Sequence, residues 1–404
     1  MADSYASHFD INNIPYGIAS SPTRPTPQAV TRIANTVIFL SSLASTEAFT
    51  SLPSLSSTFL QPTLNAFASL PHDTHSQVRH LIQSAINSNH YTQHAEDIKN
   101  VTLHLPIAIG DFTDYSASAN HVLNAGEAIM GTRSYPPAFH KYPVGYAGRC
   151  SSIAVSPTPV VRPLGQYIEN YAAPEKNIIF GASRALDYEL EIGAVIGRPV
   201  EPGTILRAKD ADEHIFGFVL VNDWSARDIQ GLEMNPLGPF NGKNFRTSIS
   251  PWIITLEALQ PYAVPAPERM SPVADFMNDE AAPNYNIRLT GSITRNGSTT
   301  TTCTVGFDTM YWTFRHMLAH HTVGGCGLRT GDLIASGTVS GDAEHEHGCL
   351  LELTKNGKVA SKLSDGGELR YLEDGDEVVY TGVVGEGKGV GFGECVGVVQ
   401  EARW

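Results

Sequence analysis

Asp187-Tyr-Glu-Leu-Glu-Ile-Gly193 opens an apolar run that continues Ala-Val-Ile to Gly197. In an extended strand, side chains alternate between faces, so Glu189 and Glu191 point the same way with Asp187 behind them. Like charges on one face repel unless something positive sits among them. About thirty residues on, a second apolar run, Phe216-Gly-Phe-Val-Leu-Val-Asn-Asp223, also ends in an acid. Hard carboxylate oxygens gathered from several strands suit Mg²⁺ or Ca²⁺ better than zinc. The first expectation is therefore an oxygen-ligand metal site.

The same texture extends in both directions. From His104 onward, short apolar runs alternate with Gly and Pro: Val144–Arg149, Asn177–Ala182, Leu190–Gly197, Gly217–Asp223 and Ser250–Leu256. Many short strands split by turn residues predict a mainly β (α+β) protein with a sandwich- or barrel-like unit. Residues 1 to about 100 differ, being rich in Ser, Thr, Ala and Pro. At 404 residues the chain exceeds what one core usually serves, so two domains are expected, 1–106 and 107–404. In the first, Val78, Leu81, Ile82 and Ile86 have helical spacing, with Ser76 as a candidate N-cap. In the second, one helix is predicted over 307–321, with Met310, Phe314, Met317 and Leu318 on one side.

Bulk properties exclude several classes. The 27 basic residues against 41 acids leave a net charge of −14, which argues against a phosphate-backbone binder, so no nucleic-acid partner is expected. Five scattered cysteines without a C-x-x-C pair indicate neither a disulfide framework nor a thiolate zinc site. The N-terminal stretch lacks a signal-like pattern, and the apolar run Val37–Leu40 is too short to span a bilayer. A cytoplasmic protein without a membrane partner is expected. His316 and His320 stand at i, i+4, but the glutamate of H-E-x-x-H is missing. There is no G-x-S-x-G elbow, and the glycine run 385–393 misses the dinucleotide register and reads as tight β-turns.

The remaining candidates each have a plainer reading beside the chemical one. Asp114, in Gly-Asp-Phe-Thr-Asp-Tyr115, could simply hold a turn, or complete a four-carboxylate site with Glu189, Glu191 and Asp223. Asp223 could cap a helix in which Arg227 and Gln230 lie on nearby faces. Lys243, between two Gly- and Pro-shaped turns, is either a surface lysine or a group that steadies an oxyanion beside a metal. Glu352, inside Cys-Leu-Leu-Glu-Leu353, is either the outward acid of a strand or a carboxylate that orients a catalytic histidine.

Taken in order, these residues resemble the fumarylacetoacetase family, whose members close tyrosine and phenylalanine breakdown. The strings are long and specific: Asp111–Asp114, Pro143–Arg149, Glu189–Glu191, Asn222–Gln230, Pro236–Lys243 and Ala335–Gly341, within a match running from Ile11 to Cys395. The resemblance implies an SH3-like N-terminal barrel, a larger β-rich catalytic domain and a homodimer. It implies Mg²⁺ or Ca²⁺ held by Asp114, Glu189, Glu191 and Asp223, with Lys243 and Thr247 nearby. His121 matches the family's general base and Glu352 its partner carboxylate. Arg227, Gln230 and Lys243 match its oxyanion-steadying groups, while Tyr146, Gln230 and Thr338 match substrate contacts. The implied activity is hydrolysis of a C–C bond in a 1,3-diketo acid. Three family substrate contacts are changed: tyrosine, arginine and tyrosine are replaced by Ser116, Met130 and Met234. A thioether does not reproduce a bidentate guanidinium contact, and Arg133 lies close enough in sequence to substitute. The alternatives are therefore a relative acting on a less polar diketone, one running another enolate reaction (decarboxylation or isomerisation), or an inactive metal-binding dimer.

Overall fold

The computed structural model describes residues 2–387 and 389–404, so Lys388 in the glycine run lies outside the described residues. Three sheets dominate. Near the N-terminus five strands run in the order Ala95–Asp97, Thr36–Phe39, Gln28–Ile33, Tyr16–Ser20, Thr102–His104. The largest sheet begins Gly145–Gly148, Phe112–Tyr115, Leu333–Ala335, then Leu190–Ile196, Ile215–Asp223, Thr247–Ile249 and Ile153–Val155. A third sheet joins Ser298–Gly306, Ile287–Arg295, Glu377–Val384, Gly391–Gln400 and Val160–Val161. The mainly β expectation holds, and the five apolar runs named above each contain strand residues.

The strand Ile215–Asp223 is buried along its whole length because both faces are covered. Phe218 and Leu220 pack into one core, with Leu289, Val378 and Phe392 of the third sheet. Val219 and Val221 pack into the other, with Tyr16, Ile38, Phe67 and Val78 of the N-terminal segment. Burial on two faces is what a continuous Val/Leu/Phe run without polar alternation requires. Leu190–Ile196 pairs antiparallel with it, Leu190 opposite Asn222 and Glu191 opposite Val221.

The helices depart from the sequence reading. The N-terminal helix spans His72–Asn87 and is entered from Pro71, so Ser76 is not its cap; the Ser76 hydroxyl donates to Glu257 instead (3.2 Å). The stretch predicted as one helix over 307–321 is a turn at Phe307–Thr309 followed by a helix at Phe314–Thr322, which leaves Met310 outside. It is also not the second half's one helix: Ala119–Met130, Arg227–Glu233 and Leu350–Leu353 are helical too. Ala119–Met130 is not among the helices expected from the sequence, yet it has local start and stop signals. The Ser118 hydroxyl accepts the His121 N–H at 3.2 Å, and Gly131 ends the helix at φ +73°.

Candidate active site

Four acids arrive at one place because their strands neighbour each other on a single sheet face. Asp114 lies beside Ala335 on one side and opposite Tyr146 on the other. Asp223 lies opposite Thr247, and one residue beyond the Leu190–Asn222 pair comes Glu189. Alternation puts Glu191 on the same face as Glu189. All four are buried. Asp114, Glu189 and Asp223 each offer a carboxylate oxygen within 4.8 Å of the others.

One ammonium sits among them. Lys243 Nζ donates to Glu189 Oε2 at 2.5 Å and Asp223 Oδ2 at 2.7 Å, and its side chain is 4% exposed. It is thus no surface lysine. Arg227 bonds Glu189 Oε1 at 2.7 Å and Asp187 Oδ2 at 2.8 Å, and its Nη1 also meets Gln230 Oε1. Thr247 and Tyr146 hydroxyls donate to the two Asp223 oxygens at 2.9 and 2.6 Å. Asp223 ends its strand rather than capping a helix, which begins only at Arg227.

Electrostatics divides the four acids. Burial works against charge on Glu189, but Lys243 and then Arg227 outweigh it and hold the carboxyl well below the usual range. Glu191 and Asp114 go the other way: burial first, then their acidic neighbours, push both well above it. Among the described residues, neither Glu191 oxygen, nor Asp114 Oδ1, has a hydrogen-bond donor. Such bare, buried, all-oxygen groups are costly alone and fit a hard divalent cation, which supplies the missing counter-charge. The donor set therefore fits Mg²⁺ or Ca²⁺.

His121 and Glu352 meet across the fold. Glu352 belongs to the short buried helix Leu350–Leu353, not to a strand. Its Oε1 stands 2.7 Å from His121 Nδ1 and also accepts from Ser340 Oγ at 2.7 Å. Burial opposes ionisation of Glu352, but His121 and these hydrogen bonds hold its carboxyl below the ordinary value. An ionised carboxylate only accepts, so the proton sits on Nδ1 and Nε2 is left as a base. Asp187 was not among the sequence candidates for the site. It takes the N–H groups of Leu350 and Leu351 at 2.7 and 2.9 Å, thereby holding the helix that carries Glu352. Its alternation with Glu189 was visible, but the bend that turns it to this helix was not.

A cleft of about 980 Å³ opens over these groups, lined by Asp114, Glu189, Lys243, His121, Arg227 and Gln230. Ser116, Tyr146, Met234 and Thr338 also line it. Thr338 follows Gly337, whose φ of +74° and close approach to the Tyr115 carbonyl leave no room for a Cβ. The Thr338 hydroxyl is buried without a partner among the described residues. Met130 does not line the cleft; it is 67% exposed at the end of its helix. Arg133 does not line it either, and instead bonds Asn124 and Asp342.

Family models match on both sides of residue 106: "Fumarylacetoacetase N-terminal" over 12–106 and "Fumarylacetoacetate (FAA) hydrolase C-terminal" over 111–400. The chain belongs to the fumarylacetoacetate hydrolase family. Among similar members, fumarylacetoacetase of Aspergillus fumigatus is 42% identical, covering 98% of this chain and 96% of the relative. That of Arabidopsis thaliana is 39% identical, covering 97% and 96%. A fumarylacetoacetate hydrolase from Exiguobacterium antarcticum shares the fold (TM-score 0.55, 17% identity, 96% of this chain and 100% of that one). So does a 2-hydroxyhepta-2,4-diene-1,7-dioate isomerase from Mycobacterium marinum (TM-score 0.51, 17% identity, 96% and 98%). At such identities these two speak to fold alone.

Proposed function

We propose that this protein hydrolyses the C–C bond of fumarylacetoacetate, giving fumarate and acetoacetate, as a cytoplasmic homodimer using Mg²⁺ or Ca²⁺ in tyrosine and phenylalanine catabolism. The observation that carries this reading is the His121–Glu352 pair beside a cleft lined by the buried carboxylates Asp114 and Glu189. Full-length similarity to fumarylacetoacetases supports the substrate. Among the described residues, no helix is long and apolar enough to cross a membrane. Residues 1–106 form the N-terminal domain in this reading and 107–404 the catalytic one.

Asp114, Glu189, Glu191 and Asp223 would hold the cation, which would supply Lewis-acid polarisation and counter-charge. His121 Nε2 takes a proton from water, which attacks the carbonyl carbon, while Glu352 holds the imidazole's tautomer and steadies its charge. The resulting oxyanion faces Lys243 and Arg227. Gln230 presents its amide NH₂ there, since its Oε1 is taken by Arg227. The C–C bond breaks as the oxyanion collapses to a carboxylic acid, and the proton held by His121 returns to the departing enolate carbon. Tyr146 and Thr338 contact the substrate, the latter through its unpartnered hydroxyl. Arg184 and Lys358 also line the cleft and are cationic groups there that could meet the substrate's carboxylates. The alternative of a less polar diketone drew in part on Met130, and Met130 stands outside the cleft lining.

The test is turnover of fumarylacetoacetate by the purified protein with Mg²⁺ or Ca²⁺, following fumarate and acetoacetate. His121→Ala should abolish it while fold and metal binding persist. Retained metal binding without cleavage by the wild type would reject the substrate.

A further inference from the structure

The His121–Glu352 pair has a second tier behind it. Asn124 sits one helical turn after His121, on the same face, and is buried. Its Nδ2 donates to Glu352 Oε2 at 2.9 Å and to the Gly341 carbonyl at 3.3 Å. Its Oδ1 accepts from Arg133 Nη1 at 2.6 Å. The other arm of that guanidinium bonds Asp342 Oδ1 at 2.5 Å. Asp342 follows closely on Ser340, which itself donates to Glu352 Oε1. Arg133 thus ties the helix bearing His121 to the loop bearing Ser340.

The chemistry of a primary amide makes this tie directional. One end only accepts and the other only donates, and the two ends are nearly equal in shape. A flipped Asn124 would set its Oδ1 against the ionised Glu352 and leave a buried carboxylate oxygen short of a donor. A guanidinium has no acceptor, so its presence at Oδ1 permits one orientation and forbids the flip. Gly341 reinforces the choice, because a carbonyl can be met only by the NH₂ end.

We propose that Asn124 and Arg133 are positioning residues of the hydrolysis: the guanidinium fixes the amide, and the amide fixes Glu352 opposite His121. This rests on the reading of His121 as general base. It gives Arg133 a task different from gripping the substrate's carboxylate, and the two tasks predict different kinetics. A gripping arginine, once removed, raises KM. A positioning arginine lowers kcat with KM little changed.

Asn124→Ala should lower kcat by about 10–100-fold, the range seen when outer partners of a functional group are removed. Arg133→Gln should lower it by roughly 10-fold, with KM within about threefold of wild type, and Arg133→Lys should recover part of the loss by restoring one cationic donor. The double variant should be no worse than Asn124→Ala alone, since Arg133 acts through Asn124. A readout independent of turnover is the hydrogen-bonded imidazole proton on Nδ1 in ¹⁵N-histidine-labelled protein, assigned by its loss in His121→Ala. It should shift upfield or broaden in Arg133→Gln and Asn124→Ala. Additive kcat losses, a rise in KM at constant kcat, or an unmoved proton signal would overturn the proposal. A wild type that fails to cleave fumarylacetoacetate, but whose proton signal moves in both variants, would sink the substrate and support the positioning.

Discussion

Asp114→Asn separates a site built for a cation from a site that merely tolerates its acids. Asp114 is buried, its Oδ1 has no donor, and one of its oxygens lies within 4.8 Å of oxygens of both Glu189 and Asp223. At an effective dielectric of about 20, two unit charges that close repel by roughly 3.5 kcal/mol. Two such repulsions are offset by attraction to Lys243 and by partial protonation, since burial and then Asp223 push the Asp114 carboxyl up. A net relief of about 2–4 kcal/mol is left for the amide to realise in metal-free protein. With an unfolding entropy near 2.1 cal/mol/K per residue, that raises Tm by about 2–5 °C. With a divalent cation this gap narrows or closes. A ligand at a hundred times its Kd stabilises the wild type by about 2.7 kcal/mol, and a site short of one anionic donor forfeits most of this. Thermal unfolding of both proteins, in EDTA and in saturating Ca²⁺ or Mg²⁺, reads all four states. The amide variant should be the more stable in EDTA and should gain clearly less from metal than the wild type does. A variant already weaker in EDTA, or one that gains as much from metal as the wild type, would refute the reasoning.

Two further outcomes follow from the same physics. Lys243→Met should cost about 3–5 kcal/mol in EDTA, because Glu189 and Asp223 lose their shared ammonium while staying buried, and added Ca²⁺ should return much of it in urea unfolding. An undiminished stability in EDTA would contradict this. Burial, outweighing its hydrogen bond to the Phe67 carbonyl, depresses His75 from 6.5 to about 4, so the folded state binds fewer protons than the unfolded one below pH 6.5. Its contribution is complete above pH 6.5 and is lost as pH falls towards 4, amounting to about 3 kcal/mol. Urea unfolding across that window should show the decline, and His75→Phe should flatten it; an equal slope in the variant would count against the assignment.

What could be read along the chain was whatever depends on neighbours in sequence. Alternation alone put Glu189 and Glu191 on one face, and apolar runs without alternation marked the doubly covered strand ending in Asp223. Long strings such as Asn222–Gln230 and Pro236–Lys243 carried the family. Ser118 and Gly131 bracket the helix Ala119–Met130 with local signals that the sequence reading passed over.

What only the tertiary structure decided depends on pairing. Register between Leu190–Ile196 and Ile215–Asp223 brings Glu189 beside Asp223, and a lysine twenty residues further on is drawn inside by their combined charge. Glu352 leaves its expected strand because Asp187 accepts the first N–H groups of a helix there. Arg133, close to Met130 in sequence, turns away from the cleft because Asn124, Glu127 and Asp342 offer it acceptors elsewhere. Local alternation is a property of covalent geometry and reads out of any strand. Where a charge finds its partner is a property of the packed whole, since in a low-dielectric interior the nearest opposite charge decides, however distant it is along the chain.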